Sequence, residues 1–216
     1  MNRYALLAAL SLLGLVASAA AAPRQLLLDV DFPARDVAQV EVGDFHFRPG
    51  QKAPVHTHAA PAIGYVSKGT ILYQVEGQPM QVLKAGDAFY EPAGPRILHF
   101  DNASASAEAV FTDFNLERAG DPFIVFEQQP SEKIDRRTFP TAALALPGVR
   151  GARAAALRLD RAETLRGPLL GYVAAGQVTL AGRRYRQGET FSLAAGQSAA
   201  ARPIGTARAI AFTPVR

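Results

Sequence analysis

The chain has 216 residues, close to half of them apolar, with 23 basic and 19 acidic side chains and no cysteine. This composition describes a packed globular protein and excludes a disordered chain, a disulfide framework and lipid attachment at a processed cysteine. Charge is unevenly distributed, since residues 23–139 hold 11 basic and 16 acidic side chains while residues 140–216 hold 11 arginines and 3 acidic groups.

Such a contrast suits two surfaces of opposite sign facing each other across an interface. The arginines of the second part are scattered and have no stacking aromatics between them, so nucleic acid is not an expected partner.

Residues 1–22 read as a signal peptide. Asn2 and Arg3 make a short positive start, Tyr4 to Val16 is an apolar run, and Ala17-Ser18-Ala19-Ala20-Ala21-Ala22 offers small residues ahead of Pro23. The leucine-rich part is shorter than the roughly 20 apolar residues a bilayer requires. Cleavage near Ala22 is expected, giving a periplasmic or secreted protein. No second long apolar run follows, so no membrane association is expected after cleavage.

From there the chain reads as short strands. Val40-Glu41-Val42 and Phe45-His46-Phe47 alternate apolar and polar residues up to Pro49-Gly50. Ile63 to Val66, then Ile71, Tyr73 and Val75 at period two, lead to the turn Glu76-Gly77-Gln78-Pro79. Val82-Leu83, Ala88 to Tyr90, Ile97 to Phe100 and Ala109 to Leu116 complete the set. Strands of this length at intervals of roughly ten residues indicate a sandwich or barrel. Residues 129–147 read as a linker.

The remainder repeats the first pattern. Gly64-Tyr65-Val66 with Gly69 recurs as Gly171-Tyr172-Val173 with Gly176, and Gly86-Asp87 with Phe89 recurs as Gly188-Glu189 with Phe191. The offset shrinks only in turns, where deletions are tolerated.

All four histidines, His46, His56, His58 and His99, fall in the first half. In His56-Thr57-His58 the two imidazoles share one face of a strand, because residues two apart point the same way. Two such imidazoles beside a barrel interior are a partial site for a divalent metal. His46, between Phe45 and Phe47, is expected to point out of the barrel. Glu91 is a candidate general acid or base, and Gln74 and Glu91 lie on strands close enough to complete a coordination shell.

The spacing around these histidines resembles that of a known family. Gly50, five residues, His56, one residue, His58 and a later Gly69 match the first motif of the cupins. Gly86, five residues, Pro92-Ala93-Gly94 and Asn102 match the second. With its weaker repeat, the whole chain is similar to a bicupin, an all-β fold of two jelly-roll barrels in one chain, the second degenerate. The resemblance implies a barrel at 23–128, the linker at 129–147 and a degenerate half at 148–216.

It also implies a divalent transition metal (Mn, Fe, Ni, Cu or Zn) held by two histidines and a glutamate of the first motif and a histidine of the second. The glutamate position is Ala62. The third histidine belongs at Ile97 or Leu98, and the nearest one is His99, two residues past Ile97 and roughly 6–7 Å along a regular strand. A bulge around Pro95-Arg96 would bring it into place, so His56, His58 and His99 are the expected ligands. By the same alignment Glu163 and Leu165 stand where His56 and His58 do, so the second half is expected to be structural.

Two functions are open at this stage. One is a metal-dependent dioxygenase, isomerase or lyase acting on a small organic molecule in the barrel. The other is a non-catalytic binding or structural protein that has lost the metal site. A homodimer is the expected assembly.

Overall fold

The computed structural model describes residues 24–139 and 142–216; the expected signal peptide lies outside the described residues. Eighteen strands and no helix are present among them. The first ten are β1 (Arg24–Phe47), β2 (His56–Thr57), β3 (Ala62–Lys68), β4 (Thr70–Val75), β5 (Gln81–Lys84), β6 (Ala88–Glu91), β7 (Ile97–Asn102), β8 (Ala109–Glu117), β9 (Val125–Phe126) and β10 (Asp135–Thr138). The others are β11 (Ala142–Leu159), β12 (Glu163–Arg166), β13 (Leu169–Ala175), β14 (Gln177–Leu180), β15 (Arg183–Arg186), β16 (Thr190–Leu193), β17 (Ser198–Pro203) and β18 (Ala207–Val215).

A nine-stranded sheet runs through the whole molecule in the order β16-β13-β18-β11-β1-β8-β3-β6, with β10 alongside β1. A five-stranded sheet, β5-β4-β7-β2-β9, faces it in the first half, and a four-stranded sheet, β12-β17-β14-β15, in the second. The all-β jelly-roll expectation holds.

The long strands join the halves. The start of β1, Arg24 to Asp31, pairs with Leu157 to Gly151 of β11, whereas its end, Gln39 to Phe47, pairs with Glu117 to Ala109 of β8. The first residues of the expected first barrel therefore extend the sheet of the second half. Register shifts between Asp31 and Gln39 separate the two roles.

Three apolar clusters follow from this layering. Phe45, Phe47, Phe89, Phe100 and Phe111 lead the interior of the first half. Leu157, Leu159, Leu165, Val173 and Leu180 lead that of the second. Between them Ile63, Tyr65, Phe114, Tyr172 and Phe212 form a shared core. Strand β8 serves two of these clusters: Phe111 faces the first interior and Phe114 the shared core, as the period-two alternation requires.

Residues 129–147, read above as a linker, carry β10 and the start of β11. Strand β10 pairs with Gly43–His46 of β1 through the polar run Asp135-Arg136-Arg137-Thr138. Its charged side chains hid it from an apolar-periodicity reading.

Candidate metal centre

Three adjacent strands of the large sheet set the polar wall of the first interior. Ala62 on β3 lies opposite Glu91 on β6 and opposite Asn115 on β8. Two residues along the sheet, Gly64 lies opposite Phe89 and Asp113. Directly opposed residues share a face, so Glu91, Asn115 and Asp113 all look into the barrel beside Ala62. The Gly64 position must lack a side chain, because a Cβ there would come within 1.9 Å of the Phe89 ring. At Ala62 the small side chain leaves the neighbouring carboxylate of Glu91 the inward space.

The facing sheet brings the imidazoles. His56 pairs with Ile97 of β7 and with Phe126 of β9. The His56 and His58 rings stand 5.4 Å apart, nearly perpendicular. His56 Nδ1 donates to the Pro54 carbonyl at 2.8 Å, and the His58 Nδ1 proton is shared between Asn115 Oδ1 at 3.1 Å and the Phe123 carbonyl at 3.0 Å. With Nδ1 committed in both rings, each Nε2 is left toward Glu91. The distances are 3.7 Å from His56 Nε2 to Glu91 Oε1 and 3.3 Å from His58 Nε2 to Glu91 Oε2. Carbonyls holding the second ring nitrogen are the usual support of metal-binding histidines.

Among the described residues, His56, His58 and Glu91 are the one group of three or more candidate ligands, with donor atoms within 4.8 Å of one another. All three are buried. His58 Nε2, Glu91 Oε1 and the nearby Asp113 Oδ1 are enclosed without a hydrogen-bond partner of good geometry. Atoms of this kind normally find partners. Donors at 2.0–2.2 Å from one ion stand about 3.4 Å apart at a tetrahedral angle, so this donor set fits a divalent transition metal.

Without a metal the cluster is an ion pair. Burial pushes His58 down, but the charge and hydrogen bond of Glu91, with help from Asp113, outweigh it and raise His58 to about 9. Burial pushes Glu91 up, and the charge of His58 with hydrogen bonds from both imidazoles outweighs it, holding Glu91 at about 2. Asp113 is driven well above the usual carboxylate range by burial and by Glu91.

The centre borders a small cavity of about 20 Å³, room for roughly one water, walled by Phe45, Phe47, Phe100, Phe111 and Phe126. Ile124 and Ile134, from the segment between β8 and β10, line it as well. That segment is fastened by charge. Arg96 bonds Glu127 at 2.6 Å and 3.0 Å, Arg136 pairs with Glu41, and the Arg136 guanidinium lies 3.6 Å from the centre of the Phe123 ring.

Two expected ligands are elsewhere. Gln74 pairs with His99 but Val75 pairs with Ile97, so Leu98 is an extra residue in β7. This bulge inverts the alternation: Ile97 and Phe100 are buried in the interior, while His99 turns out, 43% exposed, and bonds Asp101 at 2.9 Å. A bulge was expected to bring His99 in; the one present carries it out. Gln74 donates to the Gln78 carbonyl at 3.0 Å in an exposed turn and is not part of the group. His46 is partly exposed, bonded to Asp44 and Glu108 at 3.1 Å and 3.2 Å.

Asp113 and Asn115 went unnoticed in the sequence. Their signal was present: in Phe111-Thr112-Asp113-Phe114-Asn115-Leu116 polar residues continue, at period two, the face that Phe111 begins. In a strand buried on both sides, that row lines a polar cavity.

Comparison with known proteins agrees with this fold. The family described as Cupin domain matches residues 43–115. Residues 43–115 are a cupin domain. His56, His58, Glu91, Asp113 and Asn115 lie within it. No curated protein matches the sequence.

Solved structures show the same fold. The nickel(II) complex of bacterial pirin YhhW from Escherichia coli is 14% identical, with 83% of this chain and 84% of that one covered at a TM-score of 0.55. Salicylate 1,2-dioxygenase from Pseudaminobacter salicylatoxidans is 12% identical, with 82% and 71% covered at 0.54. A variant of that dioxygenase in complex with gentisate is 11% identical, with 84% and 74% covered at 0.54. The cupin domain thus sits in a chain whose fold resembles theirs over most of its length.

Proposed function

We propose that this is an exported metalloprotein that holds one divalent transition ion (Mn, Fe, Ni, Cu or Zn) through His56, His58 and Glu91 and binds a small organic molecule in the same cavity. On this reading it works as a metal-dependent dioxygenase, isomerase or lyase. The observation that carries the proposal is the convergence of two imidazole Nε2 atoms and one carboxylate in a buried, otherwise unpartnered group. Two histidines and one carboxylate with open positions are the donor set of non-haem iron oxygenases and of catalytic zinc. The nickel(II) named for pirin YhhW and the gentisate named for the dioxygenase support the choice of metal and ligand class. Export rests on residues 1–22, and a species beginning near Pro23 in the envelope fraction is its test.

The chain's own residues have separable tasks. The Pro54, Asn115 and Phe123 oxygens fix which imidazole nitrogen faces inward. Glu91, a candidate acid or base by sequence, is assigned here as the third ligand, since its two oxygens face the two rings. The phenylalanine walls exclude water, which strengthens every charge interaction inside. A bound ion would supply Lewis-acid stabilisation of negative charge developing on a substrate oxygen.

A non-catalytic binding protein is the second reading, favoured by the small enclosed cavity and by His99 lying outside. Elemental analysis of untagged protein, as purified and after exposure to each of the five metals, tests the main reading. One metal per chain, lost in His58→Ala, supports it. Protein that stays metal-free throughout overturns it in favour of the second.

A further inference from the structure

A cavity of about 20 Å³ beside the metal centre has room for roughly one water. A hydrated divalent ion is larger than that, and so is any organic ligand. Part of the wall must therefore move whenever the site is filled. Phe45, Phe47, Phe100 and Phe111 stand on β1, β7 and β8, and each of these strands has a paired neighbour on both sides. Shifting any of them breaks a ladder. Ile124 and Phe126 belong to a different kind of wall.

They lie between β8 and β10, in residues 118–134, where the one strand is the two-residue β9. Strand β9 is the edge of the five-stranded sheet and meets β2 through two residue pairs, His56 with Phe126 and Thr57 with Val125. The Glu127 amide continues that seam, donating to the Val55 carbonyl at 3.0 Å. Of the side chains in the segment, Phe123 alone is buried. Outside the seam the middle of the segment is held by Arg96, which bonds both Glu127 oxygens and reaches Glu76 at 2.9 Å, all in solvent. Regions with so few buried contacts open at low free energy. The ends are firmer. Asp121 pairs with the buried Arg35, the Arg136 guanidinium lies 3.6 Å from the Phe123 ring centre, and Ile134 leads into β10, which is paired with β1. A segment pinned at both ends and weakly held between them moves as a flap.

We infer that residues 124–129 are a lid on the metal centre, closed by the β2–β9 seam and the Arg96–Glu127 clasp, and tightened by a bound ion. The lid opens to admit the ion and any organic ligand. The tightening follows from the histidines. The Phe123 carbonyl, at the lid's hinge, accepts from His58 Nδ1 at 3.0 Å, and Phe126 is paired with His56. An ion that fixes both Nε2 atoms fixes the two rings, and fixed rings hold the hinge and the seam in place. By linkage, what holds the ion also holds the lid shut. The lid rests on the metal-site reading for what passes beneath it; the seam and the clasp do not depend on that reading.

The test uses the full mature chain, in which the absence of cysteine lets a single disulfide be added cleanly. Thr57→Cys with Val125→Cys joins directly opposed residues of an antiparallel pair, about 4.5–5.5 Å apart at Cα and within reach of a disulfide. Neither side chain lines the cavity. Thr57→Ser with Val125→Ser is the control without thiols. Zinc uptake by metal-free protein is followed by competition with a zinc-binding dye. It should be at least about tenfold slower in the oxidised staple than in the serine control, and severalfold faster in Arg96→Ala than in wild type. Amide exchange read by mass spectrometry should find residues 124–129 of metal-free wild type opening well ahead of β7 and β8. Their exchange should slow on stapling and on loading with zinc.

Uptake as fast in the staple as in the serine control overturns the lid. So does exchange in residues 124–129 no faster than in β7 and β8. Thiols that fail to join under oxidant would also overturn it, since β2 and β9 would then not be paired. Unchanged uptake in Arg96→Ala refutes the clasp, and exchange unchanged in zinc-loaded protein refutes the tightening. Wild-type exchange decides the matter even if the stapled variant fails to fold. The two readings fail separately: wild type that takes up no zinc refutes the metal, and exchange alone then decides the lid.

Discussion

In each half a glycine of a central strand lies beneath the ring of a phenylalanine on the paired strand, Gly64 under Phe89 and Gly171 under Phe191. The turns match as well. Gly86 donates to the Val66 carbonyl at 2.8 Å and Gly188 to the Val173 carbonyl at 2.9 Å, and Ala85 and Gln187 donate to Gly69 and Gly176, both at 3.0 Å. Yet the interiors differ. The first is aromatic and carries a buried polar wall; the second is filled by leucine, valine and alanine around Phe191.

Where His58 faces Glu91, the aligned Leu165 is fully buried in the second core. The aligned Glu163 is also buried and pairs with Arg24 at 2.8 Å. One backbone pattern thus supports both a site and a plug. The difference lies in side chains at a few inward positions, since fold alone does not set function.

The largest expected effect breaks this contrast directly. His56→Ala or His58→Ala should abolish stoichiometric metal, because two remaining donors hold an ion poorly. Glu91→Gln should weaken uptake severely. Asn115→Ala, which removes a support of His58, should cost about 10–100-fold in metal affinity. His99→Ala and Glu163→Ala should leave metal content unchanged. Elemental analysis with competition titration reads all six. Loss of metal in His99→Ala would show that the Leu98 bulge is not the state that binds.

How far these positions were legible varies with the kind of signal. The His56-Thr57-His58 pair and the glycine-marked turns announce themselves locally, and each short apolar strand from Ile63 to Leu116 is found where alternation placed it. Export was also read locally but lies outside the described residues. Glu91 was visible as a candidate, but not as the substitute for the absent glutamate at Ala62, because that relation exists only in strand register. The position of His99 turns on one extra residue, Leu98, and a bulge leaves no apolar or polar mark of its own. The exchange of β1 and β11 between the halves was invisible because it is a pairing, not a pattern.

A second expectation concerns what each interior tolerates. Leu165→Ala should cost about 2–5 kcal/mol through the cavity it leaves, with metal binding intact. Gly64→Ala and Gly171→Ala would press a Cβ to 1.9 Å and 2.1 Å from a phenylalanine ring, and overpacking of this kind costs about 1–3 kcal/mol. Only Gly64→Ala should also weaken metal uptake, since Phe89 is two residues from Glu91 on the same strand face. Urea melts and metal titration separate the two effects. Equal loss of metal in both glycine variants would mean that the halves act as one unit.

A smaller effect is the pH dependence peculiar to the first half. The raised His58 contributes stability that is present below its ordinary value of 6.5 and lost as pH climbs through about 9. The lowered Glu91 contributes stability present above its ordinary 4.5 and lost as pH falls through about 2. Asp113, raised by burial and by Glu91, adds to the loss on the alkaline side. Metal-free protein should therefore melt highest in mildly acid solution and lower from pH 6.5 to 9. Metal-loaded protein should show the opposite trend there, because uptake expels the His58 proton. Melts with and without chelator test this, and His58→Leu should flatten the fall in the metal-free series. A metal-free profile that rises from pH 6.5 to 9 would contradict the His58–Glu91 ion pair.

The smallest effect concerns the charge contrast between the two parts of the chain, which at first sight suggests electrostatic docking. Two ion pairs of the described residues connect them. Asp29–Arg153, at 3.0 Å, has the polarity of the net charges, but its side chains are 44% and 57% exposed. Arg24–Glu163, at 2.8 Å, has the reverse polarity. The surface between the halves is instead apolar, with Tyr65 against Tyr172 at 5.9 Å and Phe114 against Phe212 at 4.3 Å between ring centres. Exposed pairs contribute about 0–1 kcal/mol each and are screened by salt, whereas the paired strands β1 and β11 and the shared core lose nothing to it. Arg153→Ala should therefore change unfolding free energy by less than about 1 kcal/mol, with a similarly small change on raising the salt concentration. Urea melts of wild type and variant at low and high salt measure this. A salt-dependent loss of several kcal/mol would mean that the opposite net charges, and not the shared apolar core, hold the halves together.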